Sequence, residues 1–255
     1  AGSTVTATAS INTYSNYLRI DGIAITMNGN SNVFYVQYSS GASDIRLSNC
    51  YGHNARASDG PEVYKIEGVR GGTVVKIWNS IGINDSGDAA ANVFEVNDAD
   101  VSAYIYNCTG IANGSGAFVQ NSSTAVVLKN CLAQTETGSA FSGSFNSVAY
   151  CASDDQTADN WDSGVSTNLT EQTYIFIDAP AYNYHLKGKS DGVNDGQDLS
   201  TDTVLPFTDD IDGQTRPYFS GWDIGADETH LSPADHFIWD SEAGDFIAST
   251  GLNWQ

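Results

Sequence analysis

The sequence predicts an all-β chain wound as a right-handed parallel β-helix, and three observations carry that expectation. Two short patterns alternate along the chain, their spacings drift together, and the residues between them are turn formers. Strand-like runs at intervals of 20–30 residues are too short to bury an apolar face alone, so successive repeats must stack on one another.

The first pattern is apolar–x–apolar–x–Asn–small–x–Gly/Ala. It reads Ile45-Arg46-Leu47-Ser48-Asn49-Cys50-Tyr51-Gly52, then Val75-Lys76-Ile77-Trp78-Asn79-Ser80-Ile81-Gly82. It returns as Ala103-Tyr104-Ile105-Tyr106-Asn107-Cys108-Thr109-Gly110 and Val126-Val127-Leu128-Lys129-Asn130-Cys131-Leu132-Ala133, with weaker copies at Leu18–Ile23 and Val148–Cys151. The second pattern, small-apolar–aromatic–x–apolar, reads Val33-Phe34-Tyr35-Val36, Val63-Tyr64-Lys65-Ile66 and Val93-Phe94-Glu95-Val96, and fades at Ala117-Phe118 and Ala140-Phe141. The aromatics step by 30, 30, 24 and 23 positions, and the Asn positions by 30, 28 and 23.

Period-2 alternation makes each run a strand with one face inward. In-register stacking then predicts an interior aromatic column of Phe34, Tyr64, Phe94, Phe118 and Phe141. A second column holds Cys50, Ser80, Cys108, Cys131 and Cys151. Serine in that column cannot form a disulfide, so the four cysteines are expected as buried free thiols. Asn49, Asn79, Asn107 and Asn130 are expected at turns as an amide ladder, each bonding the next coil.

Composition narrows the function. Ten Lys+Arg against 31 Asp+Glu give a net charge of −21, a field that repels nucleic acid and anionic lipid. No run of eighteen apolar residues is present, so membrane insertion is not expected. Ala1-Gly2-Ser3 carries no basic, apolar leader, which fits either a cleaved product or one that lost only its initiator Met. Five N-x-S/T sequons, at Asn84, Asn107, Asn113, Asn121 and Asn168, are what so Ser/Thr/Asn-rich a chain yields by chance.

After Cys151 the repeat dissolves into Phe176-Ile177-Asp178-Ala179-Pro180, Tyr182-Asn183-Tyr184-His185-Leu186-Lys187-Gly188-Lys189-Ser190 and Gly196. There follow Asp209-Asp210-Ile211-Asp212-Gly213-Gln214-Thr215-Arg216-Pro217 and Trp222-Asp223-Ile224-Gly225-Ala226-Asp227-Glu228. This resembles the closing segment of bacterial and phage right-handed β-helix repeat proteins, the pectate-lyase-like solenoids. Repeat and closing segment together span about residues 15 to 228. The resemblance implies β-helix coils over 1–175 and closing coils and a cap of the same domain over 176–228; residues 229–255 depart from it, as an apolar tail that folds back over the cap or, the favoured reading, docks onto another subunit. It implies no single activity, because such folds serve lyases, hydrolases, adhesins and virion components alike.

Candidate sites follow from the columns. Outward from the Asn turn stand Arg19, Arg46, Lys76, Tyr104 and Val127, beside Asp21, Ser48, Trp78, Tyr106 and Lys129. Basic and aromatic side chains gathered on one face of an acidic rod suit a subunit interface or a glycan platform. Glu67 and Glu95, on adjacent coils, are the candidate catalytic pair, which a glycosidase would hold about 5–5.5 or 6.5–9.5 Å apart. Lys65 is expected directly over Glu95, an ordinary cross-strand ion pair.

Asp209, Asp210 and Asp212 are the candidate cation ligands, with Ca²⁺ as the ion, although capping of turns and pairing with Arg216 is the favoured role for them. No cofactor is otherwise required. The four histidines show no metal-ligand spacing, and no hydrolase nucleophile motif stands out. Phe237, Trp239, Phe246 and Trp254 make the tail apolar and suit assembly. The expectation is therefore a non-catalytic structural or adhesive protein, extracellular or on a virion surface as a decoration or fibre component. It is expected to assemble as a homo-oligomer, with other virion or surface proteins and polysaccharide as partners. The alternative is a secreted polysaccharide lyase or glycoside hydrolase.

Overall fold

The computed structural model describes residues 4–6, 11–13, 17–37, 43–57, 60–67, 71–122, 125–161, 167–230, 237–239 and 246–248. Within them the chain is a parallel β-solenoid whose three sheets hold seven, six and six strands. Sheet 1 includes Tyr51–Asn54, Ile81–Asn84 and Thr109–Ala112; sheet 2 includes Phe34–Gln37, Tyr64–Glu67 and Phe94–Asn97; sheet 3 includes Asp44–Ser48, Thr73–Trp78 and Val101–Tyr106. The chain visits them in that cyclic order, so every strand pairs with its counterpart one coil away.

Register is fixed by the aromatic column. Phe34 pairs Tyr64, Tyr64 pairs Phe94, Phe94 pairs Phe118 and Phe118 pairs Phe141. Because hydrogen-bonded strands lie roughly 4.8 Å apart, side chains on one column meet at that spacing. The rings indeed stack at 4.8, 4.5, 4.9 and 5.2 Å with interplanar angles of 8°, 5°, 3° and 11°. Tyr64 is the polar member, and its hydroxyl lies 3.0 and 3.1 Å from the carbonyls of Cys50 and Ile81.

Room for this column comes from the facing strand. A Cβ on Gly82 would stand 2.4 Å from Val93 Cγ1 and 3.2 Å from the Tyr64 ring. The Gly/Ala position of the first pattern is thus a packing requirement. Where the facing valine becomes Ala117 and then Ala140, the glycine becomes Ala133 by the last copy. The four cysteines are buried free thiols. The column also exchanges hydrogen bonds, for Cys50 N donates to Ser80 Oγ and Cys131 N to Cys151 Sγ.

Asn49, Asn79, Asn107 and Asn130 all have positive φ, between 45° and 52°. They turn the chain from sheet 3 to sheet 1, in a conformation that Asn tolerates better than other side-chain-bearing residues. The amide ladder is only partly realised. Asn130 Nδ2 donates to Asn107 Oδ1 at 3.0 Å, and Asn49 reaches back to Asp21. Asn79 instead donates to the carbonyl of Asp209, Asn107 to those of Asp223 and Gly225, and Asn130 also to that of Gln197. A second ladder on the inner side of sheet 1, Asn54 to Asn84, carries no marker in the first pattern.

Those bonds place the closing segment along the flank of the solenoid. The end of the coils is closed by the 3-10 turn Thr157–Trp161, which packs on the last strands of all three sheets, and by Asn168. The Asn168 side chain accepts from Cys151 N and donates to the carbonyls of Val148 and Ala158. Thr157–Trp161 and Asn168, expected among the coils, thus take part in capping them. An unpaired end exposes strand edges, and the nearest following chain covers them.

Arg216 organises the closing segment. Its fully buried guanidinium donates to the carbonyls of Asp209, Asp223, Gly225 and Ala226 and to Glu228 Oε2.

Two substitutions test this packing. Phe94→Ala, at the centre of the stack, is expected to cost about 3–5 kcal/mol in denaturant unfolding. Asn107→Gly keeps the turn but removes the amide bonds, whereas Asn107→Ala adds backbone strain. The alanine variant should be the less stable by about 1 kcal/mol.

Candidate functional site

The aromatic-basic stripe forms with the expected register: Arg19, Arg46, Lys76, Tyr104 and Val127 are successive partners, as are Asp21, Ser48, Trp78, Tyr106 and Lys129. It is not an open face. Trp78 and Tyr106 are 7% and 1% exposed, packed with Leu199, Leu205 and Trp222 of the closing segment. Lys76 Nζ donates to the carbonyl of Val204, and Lys129 pairs with Asp202 at 2.6 Å while lying 5.2 Å from the Tyr106 ring centroid. Only the early coils keep the stripe open, with Arg19 exposed and Arg46 clamped by Asp44. The residues read as a subunit interface or glycan platform are largely an intramolecular interface, because aromatic and basic side chains suit either kind of contact.

The candidate catalytic residues lie on sheet 2. Lys65 stands over Glu95, as expected, and Glu67 over Asn97. Glu95 borders a polar groove of about 470 Å³, lined also by Glu62, Asn92, Ser115, Asn121 and Ser139 among others. Its floor is tight: a Cβ on Gly114 would meet the Gly87 backbone at 2.2 Å, and one on Gly138 the Ser115 carbonyl at 2.0 Å.

Glu95 is 4% exposed and accepts from Asn92 Nδ2 at 2.6 Å. Burial foremost, and the neighbouring Glu62 carboxyl after it, push Glu95 above the ordinary carboxylate range. Lys65 Nζ lies 2.9 Å from Glu62, 3.6 Å from Glu95 and 3.8 Å from Glu67. Glu67 also accepts from Tyr35 at 2.7 Å and Asn97 at 3.0 Å, and burial together with this bond pushes the Tyr35 phenol up to about 12.

Glu67 and Glu95 are thus joined through one ammonium instead of flanking an open bond-cleavage site. Glu62, the third carboxylate on that ammonium, lies the nearest of them to Lys65 Nζ. Glu62 escaped the sequence reading because it precedes its strand and belongs to no column.

In the Asp209–Asp212 run the favoured turn-capping role is taken by Asp210, and the three carboxylates do not converge on one point. Asp210 is fully buried, its Oδ1 accepting from the N–H groups of Asp212 and Gln214 and its Oδ2 from that of Glu228. The Asp209 carbonyl accepts from Asn79 and Arg216. The pairing expected for Arg216 falls to Glu228. Asp212 turns away to His185, 3.0 Å distant, near Asp227. His53 and Asp85 form a second pair, at 2.8 Å, on sheet 1, where Tyr182 also donates to Asp85 at 2.9 Å. Of the expected assembly residues, Phe237 and Trp239 lie on a strand paired antiparallel with that of Phe246; Trp254 lies outside the described residues.

No protein-family model matches the chain, and no curated protein or solved structure does either.

Acidic pH is expected to strengthen the closing segment. Burial and then the Glu228 charge push Asp223 up to about 7. A carboxyl raised above its unfolded value stabilises below that value and loses the contribution as pH rises through the folded one. Thermal melting should therefore shift upward between pH 8 and pH 5, and Asp223→Asn should flatten that dependence.

Proposed function

We propose that the chain is a non-catalytic structural or adhesive surface module: an acidic rod that offers the polar groove beside Glu62 and Glu95 to glycan hydroxyls. The observation that carries this reading is the mutual satisfaction of its reactive side chains. Glu62, Glu67 and Glu95 share Lys65, Asn92, Asn97 and Tyr35, and His53, Asp85 and Tyr182 bond one another. A nucleophile or general base needs a lone pair facing substrate; here those lone pairs face neighbours. The groove rim, by contrast, carries Asn121, Thr137, Ser139 and Ser142, amide and hydroxyl groups that exchange hydrogen bonds with sugars at little desolvation cost.

The homo-oligomer expected from the stripe loses much of that surface to the closing segment. Assembly through the 229–255 tail stands as a separate proposal.

Affinity electrophoresis through gels containing neutral or acidic polysaccharides tests the reading, alongside assays for new reducing ends and for the ultraviolet absorbance of unsaturated uronates. Retardation without product is expected, and Ser139→Trp, which fills the groove, should abolish it. Product formed by the wild type and lost in Glu95→Gln would establish the polysaccharide-degrading alternative. Unretarded migration through every polysaccharide would remove the glycan role.

A further inference from the structure

A second pocket, of about 420 Å³, opens in the closing segment and is lined by His185, Asp212, Gln214, Asp227 and His230 among others. Three separately anchored side chains converge there. His185 lies on the strand Asn183–Leu186, paired antiparallel with Phe176–Asp178. Its Nδ1 is 2.6 Å from Asn183 Oδ1. The amide oxygen is an acceptor only, so Nδ1 carries the proton and donates; in the neutral ring the lone pair then sits on Nε2, towards Asp212. Asp212 sits in a turn whose shape is imposed by Asp210. Asp227, 6% exposed, is oriented by the Leu186 N–H, which Oδ2 accepts at 2.8 Å. Asp227 also lines the pocket.

We propose that His185 Nε2 and the carboxylates of Asp212 and Asp227 bind a divalent first-row transition ion of the zinc class. An imidazole fixed through its distal nitrogen is the outer-shell arrangement of metal-binding histidines. One nitrogen and two carboxylate oxygens suit zinc, cobalt or manganese, whereas Ca²⁺ takes six to eight oxygens. Two carboxylates beside a neutral imidazole balance a 2+ charge.

Distances agree with a shared ion. Nε2 and Asp212 Oδ2, 3.0 Å apart, subtend about 95° at an ion bonded at ~2.05 Å to each. All three ligand atoms lie within 4.8 Å of one another, a spacing that side-chain rotation can close onto one ion. Three protein ligands leave the remaining coordination to water on the pocket side. Bound there, the ion joins the hairpin, the Asp210 turn and the segment of Asp227.

The test uses the full chain after treatment with a chelator. Zn²⁺ is titrated in competition with a chromophoric chelator, and Co²⁺ is followed by its visible d–d absorption. One equivalent is expected, with a rise in melting temperature. Asp212→Asn is the key variant, because its side chain is 49% exposed and its partner is His185, so the fold tolerates the change. It and His185→Gln should each weaken binding at least tenfold, and His53→Gln should leave it unchanged. The proposal is overturned if no stoichiometric binding occurs, if Asp212→Asn binds as tightly as the wild type, or if Ca²⁺ competes equally.

Discussion

The whole molecule depends on in-register parallel pairing at a single spacing. Once strand Tyr64–Glu67 lies between Phe34–Gln37 and Phe94–Asn97, each side chain stands over its own equivalent. Rings must then stack on rings, small residues must face them, and the turn between sheets must recur in one conformation. A shift of one residue would turn every aromatic outward, so the column locks the register that creates it. Neither the groove nor the covered flank would exist without that repetition, since both are assembled from neighbouring positions on successive coils.

How far the sequence could be read follows from the same fact. Phe34, Tyr64, Phe94, Phe118 and Phe141 were legible because their spacing repeats, and so were the Lys65–Glu95 and Trp78–Tyr106 neighbours. Repetition gives relative position along the coil but not what lies on top of it. The burial of Trp78 and Tyr106 beneath Trp222 was not legible: the closing segment has no period, and its contacts with the coils cross more than 60 residues of chain, as between Lys129 and Asp202. An exposed stripe and a covered one share the same letters.

The candidate sites divide along the same line. Glu67 and Glu95 occupy columns and could be placed in advance, whereas Glu62, two residues before its strand, could not. In the Asp209–Asp212 run, carboxylate density suggested a common ligand, but local geometry distributes the three. Asp210 is consumed by backbone N–H groups two and four residues on, a pattern short acidic side chains form readily in turns. Asp212 finds His185 and Asp227 only through the tertiary fold.

The amides of Asn79, Asn107 and Asn130 all reach one non-repeating stretch, residues 197–225. In a bare solenoid each repeat senses its nearest neighbours alone, and unfolding can begin at one end and travel coil by coil. Here a single strip of chain grips three successive corners, so freeing one coil also loosens its hold on the other two. The strip converts a one-dimensional array into a more cooperative unit, in which partial fraying is penalised well away from where it starts.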